Sequence, residues 1–428
     1  MPEPTASTSQ TPLARFATSF LTVAIVLGVS QVCAAQEDLG KARDAAQKLK
    51  KPLYDDFEQA EEDFNKNTKR AFDRILPRGA KTRIERIKLT EGIEHYCKML
   101  TDPDLLSVEL RDKRDKFQRQ LDKAATLANT QQRKLREDTY KIVVEQASKL
   151  LDGNYYVREQ AINLIGGLNV ANRPPAPFVG SRAALLKVAR TSPFPRHRLL
   201  AMGYLHRIVR FVKLPRNEEM EIAMIMSAEL MKPGLDSGLY YRIAQWLGDI
   251  RYTLDVVGAQ KPSAAIGLVT SLSDEKRSWI SRAIAAHSLG DTGDGSNIKW
   301  PLIAWKIAEF THEAGVEFER QRKIKGRVPA PVDPEAMADC IFAFTPSTQK
   351  EIDAGKGLKN RSSDPITTQA YQKMLPVIAG ALSQKGKIDA KALTDLKTWV
   401  DANRPKDLIY HAKAPPLPMK PVKPANGP

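Results

Sequence analysis

Residues that could perform chemistry are few in this sequence, and none belongs to a complete site. His95 and Cys97 are two soft ligands separated by one residue, but a zinc site needs further ligands and no second pair follows. Residues 291–297 (Asp-Thr-Gly-Asp-Gly-Ser-Asn) concentrate oxygen atoms that suit calcium, yet their spacing is not that of an EF-hand loop. We therefore predict no metal and no other cofactor, and we interpret 291–297 as a turn between helices.

Catalytic motifs are also missing from the sequence. The six histidines are scattered, and there is no Gly-x-Ser-x-Gly elbow, phosphate loop, His-Glu-x-x-His motif or dinucleotide fingerprint. Cys97 and Cys340 lack the neighbours of a reactive thiol, and a disulfide between them would require the N-terminal helices to fold back on the C-terminal segment. We favour two free thiols and predict that the protein is not an enzyme. An enzyme with an unrecognised site is one alternative.

A phrase of regular spacing is the strongest signal in the chain. Arginine stands at positions 158, 198 and 282, and tyrosine at 240, so that the steps are 40, 42 and 42 residues. Seven residues after each of these comes Ile or Leu, followed by Gly in three of the four copies and by His206 in the other. A small residue lies three or four positions after each: Ala161, Ala201, Ala244 and Ala285. This period is typical of two-helix solenoid repeats.

The copies at 156–161 and 282–294 resemble HEAT repeats of the bacterial HEAT-like kind, and the resemblance extends over about 151–298. It implies an all-α solenoid of the armadillo type. It also implies a polar ladder, in which an Asp and an Arg near the start of each second helix interact while alanines pack the seam. The ladder residues that match are Asp152 with Arg158, Asp274 with Arg282, and Arg198, which has no obvious Asp partner.

These arginines could instead bind a ligand on the concave face, which HEAT proteins often use. We favour the structural role, because hydrogen bonds between repeats require a constant position in each repeat and contact with a partner does not. The tryptophans at 246, 279, 300 and 305 present a similar choice. Exposed rings beside arginine could stack on bases or sugars, but we favour a place in the core, because Trp246 and Trp279 fall inside apolar helix faces.

The rest of the chain is predicted to be helical as well. Aromatic residues are only 7% of the sequence, and helix-forming residues are abundant. One helix is predicted for 53–76 and another from about 82 to 100, while 104–152 lacks Gly and Pro and is either one long helix or two that break near 129–130. The predicted regions are a long-helix hairpin (36–150), a HEAT-like α-solenoid (151–325), a C-terminal helical region (326–404) and a disordered tail rich in Pro and Lys (405–428).

The N-terminus carries the pattern of a secretory signal peptide. Arg15 precedes the apolar run 16–29, which is followed by the small-residue sequence Cys33-Ala34-Ala35. We predict cleavage after Ala35, which removes 1–35, and a mature protein that is periplasmic or extracellular and has no membrane span. The alternatives are an uncleaved anchor reaching to Val32 and lipid attachment at Cys33.

The net charge of +16 implies attraction to polyanions without naming one. We predict a non-catalytic scaffold that binds another protein in the cell envelope or outside the cell. The alternative is a binder of anionic polymers, and export argues against nucleic acid as that polymer. The candidate binding surface consists of five basic residues: Arg196, Arg207, Arg210, Lys213 and Arg216.

Overall fold

The structure, a computed structural model, describes residues 53–124, 130–172, 175–251, 264–293, 298–324, 331–346, 348 and 355–410. The predicted signal peptide (1–35), residue 129 and the end of the tail (411–428) lie outside these ranges. Within them, seventeen α-helices pack against one another, which confirms the all-α class. Over the same ranges, no helix combines the length and the apolar character that crossing a membrane requires.

The N-terminal region contains five helices. They are α1 (Phe57–Asn67), α2 (Lys69–Ile75), α3 (Arg83–Met99), α4 (Ser107–Ala124) and α5 (Thr130–Lys149). The single helix predicted for 53–76 is therefore divided at Thr68, whose φ of −123° takes the backbone out of the helix. The stretch 104–152 forms two helices and then a single 3₁₀ turn (Leu150–Asp152).

Two rows of helices follow. The helices are α6 (Tyr155–Gly167), α7 (Arg182–Thr191), α8 (Pro195–Phe211), α9 (Arg216–Leu230), α10 (Ser237–Gly248), α11 (Ala264–Ser273), α12 (Trp279–Asp291) and α13 (Trp300–Arg322). Helices α7, α9, α11 and α13, the first helices, contact one another in that order. The second helices α6, α8, α10 and α12 do the same, and they carry the regularly spaced phrase. The four alanines of that phrase are completely buried in the seam.

The glycines of the phrase lie where neighbouring second helices touch. A Cβ on Gly166 would collide with the ring of Tyr204, and one on Gly248 would lie 3.3 Å from the Cα of Ser288. In both cases the carboxyl half of one helix meets the carboxyl half of the next, so the second helices run parallel to one another. Their carboxyl ends therefore line one edge of the molecule.

A short β-hairpin, which the sequence did not indicate, interrupts the helices. Strand β1 (Asn169–Asn172) pairs antiparallel with β2 (Pro175–Pro177) between α6 and α7. Helix α5 holds it in place: Arg136 donates to the carbonyl oxygen of Val170 over 2.7 Å, and the Tyr140 hydroxyl donates to that of Asn169 over 2.8 Å. These bonds attach the N-terminal region to the first repeat. Helix α5 also packs on α6, so the two regions share one core.

The C-terminal region extends this core. Its helices within the described residues are α14 (Pro334–Phe342), α15 (Leu358–Arg361), α16 (Pro365–Leu382) and α17 (Ala390–Ala402). Helix α14 packs on α12 and continues the row of second helices, while α16 and α17 pack on α13. The tail that was predicted to be disordered (405–428) is ordered at its start, because residues 405–410 lie against the protein. Tyr410 is 1% exposed, and its carbonyl oxygen accepts from the Lys299 amide over 2.9 Å.

Helix α8 buries an ionisable ring, and we expect this to make the protein sensitive to acid. The His197 side chain is fully buried, with ring centroids 4.4 Å from Tyr155 and 5.1 Å from Phe194. Burial, with help from Arg158 and Arg196, lowers the pKa of His197 to about 3. The unfolded chain therefore takes up a proton below about pH 6.5 that the folded chain refuses, so stability falls as the pH falls from about 6.5 towards 3.

Between pH 7.5 and 5 this one residue is expected to remove about 2 kcal/mol from the free energy of unfolding. Urea unfolding of the wild type and of His197→Phe at both pH values will measure it. The difference between the two pH values should shrink by about that amount in the variant, whatever its absolute stability. An unchanged difference would show that His197 is protonated in the folded protein.

Candidate functional site

The regularly spaced arginines lie between the two rows of helices. Arg198 on α8 donates from Nε and Nη2 to both carboxylate oxygens of Glu229 on α9, at 2.7–3.1 Å. It also donates from Nη1 to the carbonyl oxygen of Ser192 over 3.0 Å. The Glu229 side chain is 5% exposed. Burial acts to raise the pKa of Glu229, but hydrogen bonds from Arg198 and Lys232 outweigh it and hold the pKa below its ordinary value.

The Arg–Glu contact recurs two repeat units later along the chain. Arg282 donates to Glu313 over 3.0 Å, and 31 residues separate these two just as they separate Arg198 from Glu229. Midway between them, Tyr240 lies close to Ser271, again 31 residues later, and the Arg277 guanidinium covers the Tyr240 ring at 4.7 Å. The period of 42 residues therefore holds in both rows. In α8 and α12 the arginine therefore ties the second helix to the first helix of the next unit.

The aspartates expected in the ladder take different places. Asp274 forms an ion pair with Arg277 over 3.2 Å, while Arg282 also donates to the carbonyl oxygen of Leu272. Asp152 acts on Arg158 only through its charge: burial lowers the pKa of Arg158, and Asp152 opposes that shift. Arg158 itself donates to the Gly153 carbonyl oxygen and lies over the Phe194 ring. A glutamate of the following unit thus replaces Asp274 as the partner of Arg282, and Arg198, for which no aspartate was expected, also pairs with a glutamate.

The five residues of the predicted binding surface do not form one patch. Arg196 is at the amino end of α8 and pairs with Glu159 over 2.8 Å. Arg210 lies 14 residues further on, which is roughly 21 Å along the helix. Between them, the half-buried Arg207 donates to the Gly166 carbonyl oxygen and to Asn169. Exposed positively charged residues lie at the carboxyl end of α8 and in the turn to the start of α9. We call them the basic edge: Arg210, Lys213 and Arg216.

Beside the basic edge lies a polar cluster that the sequence did not reveal. We call it the carboxyl-end row, and its members are His206, Asp249, Lys356, Asp291, His287 and Asp339. His206 Nε2 lies 2.8 Å from Asp249 Oδ2. Lys356 Nζ lies 3.7 Å from Asp249 and 4.0 Å from Asp291, and so it bridges the ends of α10 and α12. A cation is favoured there, because helix carboxyl ends carry partial negative charge in addition to the two carboxylates.

The row continues through a second histidine. His287 Nδ1 lies 3.0 Å from Asp339, and its Nε2 lies 3.5 Å from Asp291. Burial acts to raise the pKa of Asp249, but the hydrogen bond with His206 and the charges of His206, Lys356 and Arg210 bring it below its ordinary value. The one sequence signal of this row was His206, which replaces the recurring glycine. Lys356 lies in the segment before α15 and gave no such signal.

Aromatic rings accompany the row. The Trp246 ring stacks on His206 with centroids 5.7 Å apart, and the Phe342 ring lies 5.6 Å from His287. Trp246 and Trp279 are half-buried, whereas Trp300 and Trp305 are buried. The edge therefore offers hydrogen-bonding groups of both signs beside partly exposed rings.

The described residues include two buried thiols and no cluster of metal ligands. They contain no group of three or more His, Cys, Asp and Glu side chains that could hold a metal ion. Cys97 and Cys340 are free and buried, and burial raises the pKa of each thiol to about 12. Both thiols are therefore protonated at neutral pH, which weighs against thiol chemistry.

No family model matches this chain, and neither the curated proteins nor the solved structures contain a match to it. The function must therefore be inferred from the geometry of the chain itself.

Proposed function

We propose that this protein is a HEAT-like repeat scaffold that binds another protein along its second helices. The neighbour-by-neighbour contacts of both rows support this proposal, and so does the interval of 31 residues between Arg198 and Glu229 and between Arg282 and Glu313. Units that repeat in this way build an extended surface, because each contacts only its neighbours. The carboxyl-end row with its partly exposed rings is the observation that carries the proposal.

Ion pairing favours a protein partner over a polyanion. Arginines of the repeat region are largely neutralised by glutamates: Arg182 by Glu218 and Glu221, Arg196 by Glu159, Arg198 by Glu229, Arg251 by Glu219 and Arg282 by Glu313. The basic edge meets three aspartates of the carboxyl-end row at the same side of the molecule. A surface of alternating sign suits a protein that presents both charges, while a polyanion would be repelled by part of it.

We call the proposed binding surface along the second helices the docking face. Helix α10 provides the means to test it. Arg242 and Gln245 are exposed on the same side as Asp249, at the helical spacing i, i+3 and i+7. Ala228 on α9 is equally exposed but belongs to the row of first helices. A photo-crosslinking residue at 245 is expected to yield a discrete protein adduct in the source cells, whereas one at 228 is not.

The yield of this adduct should fall when Arg242→Glu reverses the charge one turn away from position 245. Equal adducts from both positions, or none from 245, would contradict the docking face. An intact-mass measurement of the same material checks the proposed export, because a protein cleaved after Ala35 begins at Gln36.

The basic edge supports one other function, the binding of an anionic polymer. Arg210, Lys213 and Arg216 are exposed, and such contacts release counterions, so the affinity should fall steeply with salt. Titration with an anionic polysaccharide at roughly 50 and 200 mM salt separates the two functions. A steep salt response that is lost in a variant with all three residues changed to glutamine would favour the polymer.

A further inference from the structure

A small cavity in the N-terminal region lies apart from the docking face. It opens between α1, α2, α3 and α4 and has a volume of about 100 Å³. An apolar cavity of roughly 150 Å³ in another protein holds benzene, so this space approaches the size of one aromatic ring. Since it opens to solvent, a substituent on such a ring could extend out of its mouth.

The walls of the cavity are aromatic. The rings of Phe64 and His95 stack with centroids 4.0 Å apart and an angle of 11° between their planes. Those of Tyr96 and Phe117 stack at 4.7 Å with an angle of 1°. His95 is 6% exposed, and burial lowers its pKa to about 4, so it is a neutral flat ring at physiological pH. The Phe64 and Tyr96 rings are also in edge contact at 5.7 Å, so the four rings form one cluster against which an aromatic ring can pack.

The mouth of the cavity is positively charged. Four cationic side chains line it: Lys69, Lys113, Arg114 and Lys116. Glu61 is the one carboxylate in the lining, and it lies 3.8 Å from the ammonium group of Lys113. Arg114 pairs with its neighbour Asp115. The four cations thus exceed the two carboxylates by two charges. An anionic group at the mouth would be stabilised.

We propose that this cavity binds a small aromatic carboxylate, with its ring packed against the aromatic side chains and its carboxylate among the lysines of α2 and α4. Both parts of the ligand are required by this geometry. A ring without charge would leave the lysines uncompensated, and a short carboxylate without a ring would leave the aromatic walls unfilled. The proposal is independent of the docking face, which lies on other helices.

Benzoate is the probe for this site, with benzyl alcohol and acetate as the partial ligands. Binding to the full chain is followed by NMR of protein labelled at its histidine rings, of which the chain has six. Benzoate should shift the His95 signal saturably and leave that of His312, on α13, unchanged. Benzyl alcohol and acetate should each bind at least tenfold more weakly.

The charge requirement is tested with two variants of α4. Lys113→Gln combined with Lys116→Gln should weaken benzoate binding about tenfold, because two charge-assisted contacts are lost. Arg119→Gln removes the same kind of charge from an exposed position of α4 outside the cavity and should leave the affinity unchanged. Melting curves that match the wild type show that both variants are folded. The site is refuted if benzoate does not shift His95, if benzyl alcohol binds as tightly, or if Arg119→Gln weakens binding equally.

Discussion

Replacing Arg198 with methionine is expected to lower the free energy of unfolding by about 3 kcal/mol, as measured by urea denaturation at neutral pH. The substitution keeps a long side chain but leaves Glu229 buried, with the ammonium group of Lys232 as its remaining ion-pair partner among the described residues. Removing one member of a buried ion pair typically costs ~3–5 kcal/mol, because the remaining charge has lost water without gaining a partner. Lys232 is half-exposed, which places the expected loss at the lower end of that range.

The double variant separates the isolated charge from the lost packing. Arg198→Met with Glu229→Leu replaces both charges by apolar groups and should recover most of the stability, since well-packed apolar pairs often substitute for buried ion pairs at little cost. Arg196→Met, two residues away on the same helix, is the matched control. The Arg196 side chain is 56% exposed in its pair with Glu159, so its loss should cost less than ~1 kcal/mol. Equal losses at 196 and 198 would refute the ladder as a source of stability.

The sequence could predict that these arginines are structural, but it could not identify their partners. A constant position in each unit is visible in one chain, whereas Glu229 and Glu313 lie on first helices, in segments without a recognisable repeated phrase. The resemblance to HEAT repeats directed attention to nearby aspartates instead. Contacts between units depend on how helices pack, and packing is decided by the whole apolar surface of each helix rather than by a local motif.

Local patterns also failed where the backbone leaves its helix or returns to the core. The apolar spacing of 53–76 continues through Thr68, where the structure divides the segment into α1 and α2. Tyr410 lies five residues after Pro405 and precedes a tail rich in proline, yet its side chain is buried against the protein. The spacing of apolar residues shows which side chains need to be buried. It does not show which surface of the protein will bury them.

The candidate site was predicted only in part. Closeness in sequence suggested one basic surface from 196 to 216, but a helix places Arg196 and Arg210 roughly 21 Å apart, and ion pairing neutralises the former. The carboxyl-end row joins residues from α8, α10, α12, α14 and the segment before α15. Such a cluster becomes visible only when the parallel arrangement of the second helices is known, because that arrangement brings their carboxyl ends together.

The recurring glycine gives the second large prediction. Gly290→Ala is expected to reduce the free energy of unfolding by about 2 kcal/mol, although alanine is the better helix former by ~1 kcal/mol. A Cβ at this position would lie 2.6 Å from the Cα and 2.7 Å from the carbonyl carbon of Ala343, which follows α14. These are backbone atoms and cannot rotate away. Ala343 is further fixed by the Leu358 amide, which donates to its carbonyl oxygen over 3.0 Å, so the added methyl must push the helices apart.

Gly248 occupies the same place in the preceding unit and provides the control. A Cβ there would have its nearest neighbours at 3.3 Å, a distance that a shift of a few tenths of an ångström relieves. Gly248→Ala should therefore leave the free energy of unfolding within ~1 kcal/mol of the wild type, because the gain in helix propensity offsets the tight contact. Chemical denaturation of both variants decides the point. If glycine recurs only as a helix terminator, the two substitutions will have the same effect; if it recurs because parallel helices touch there, only the closer contact will be costly.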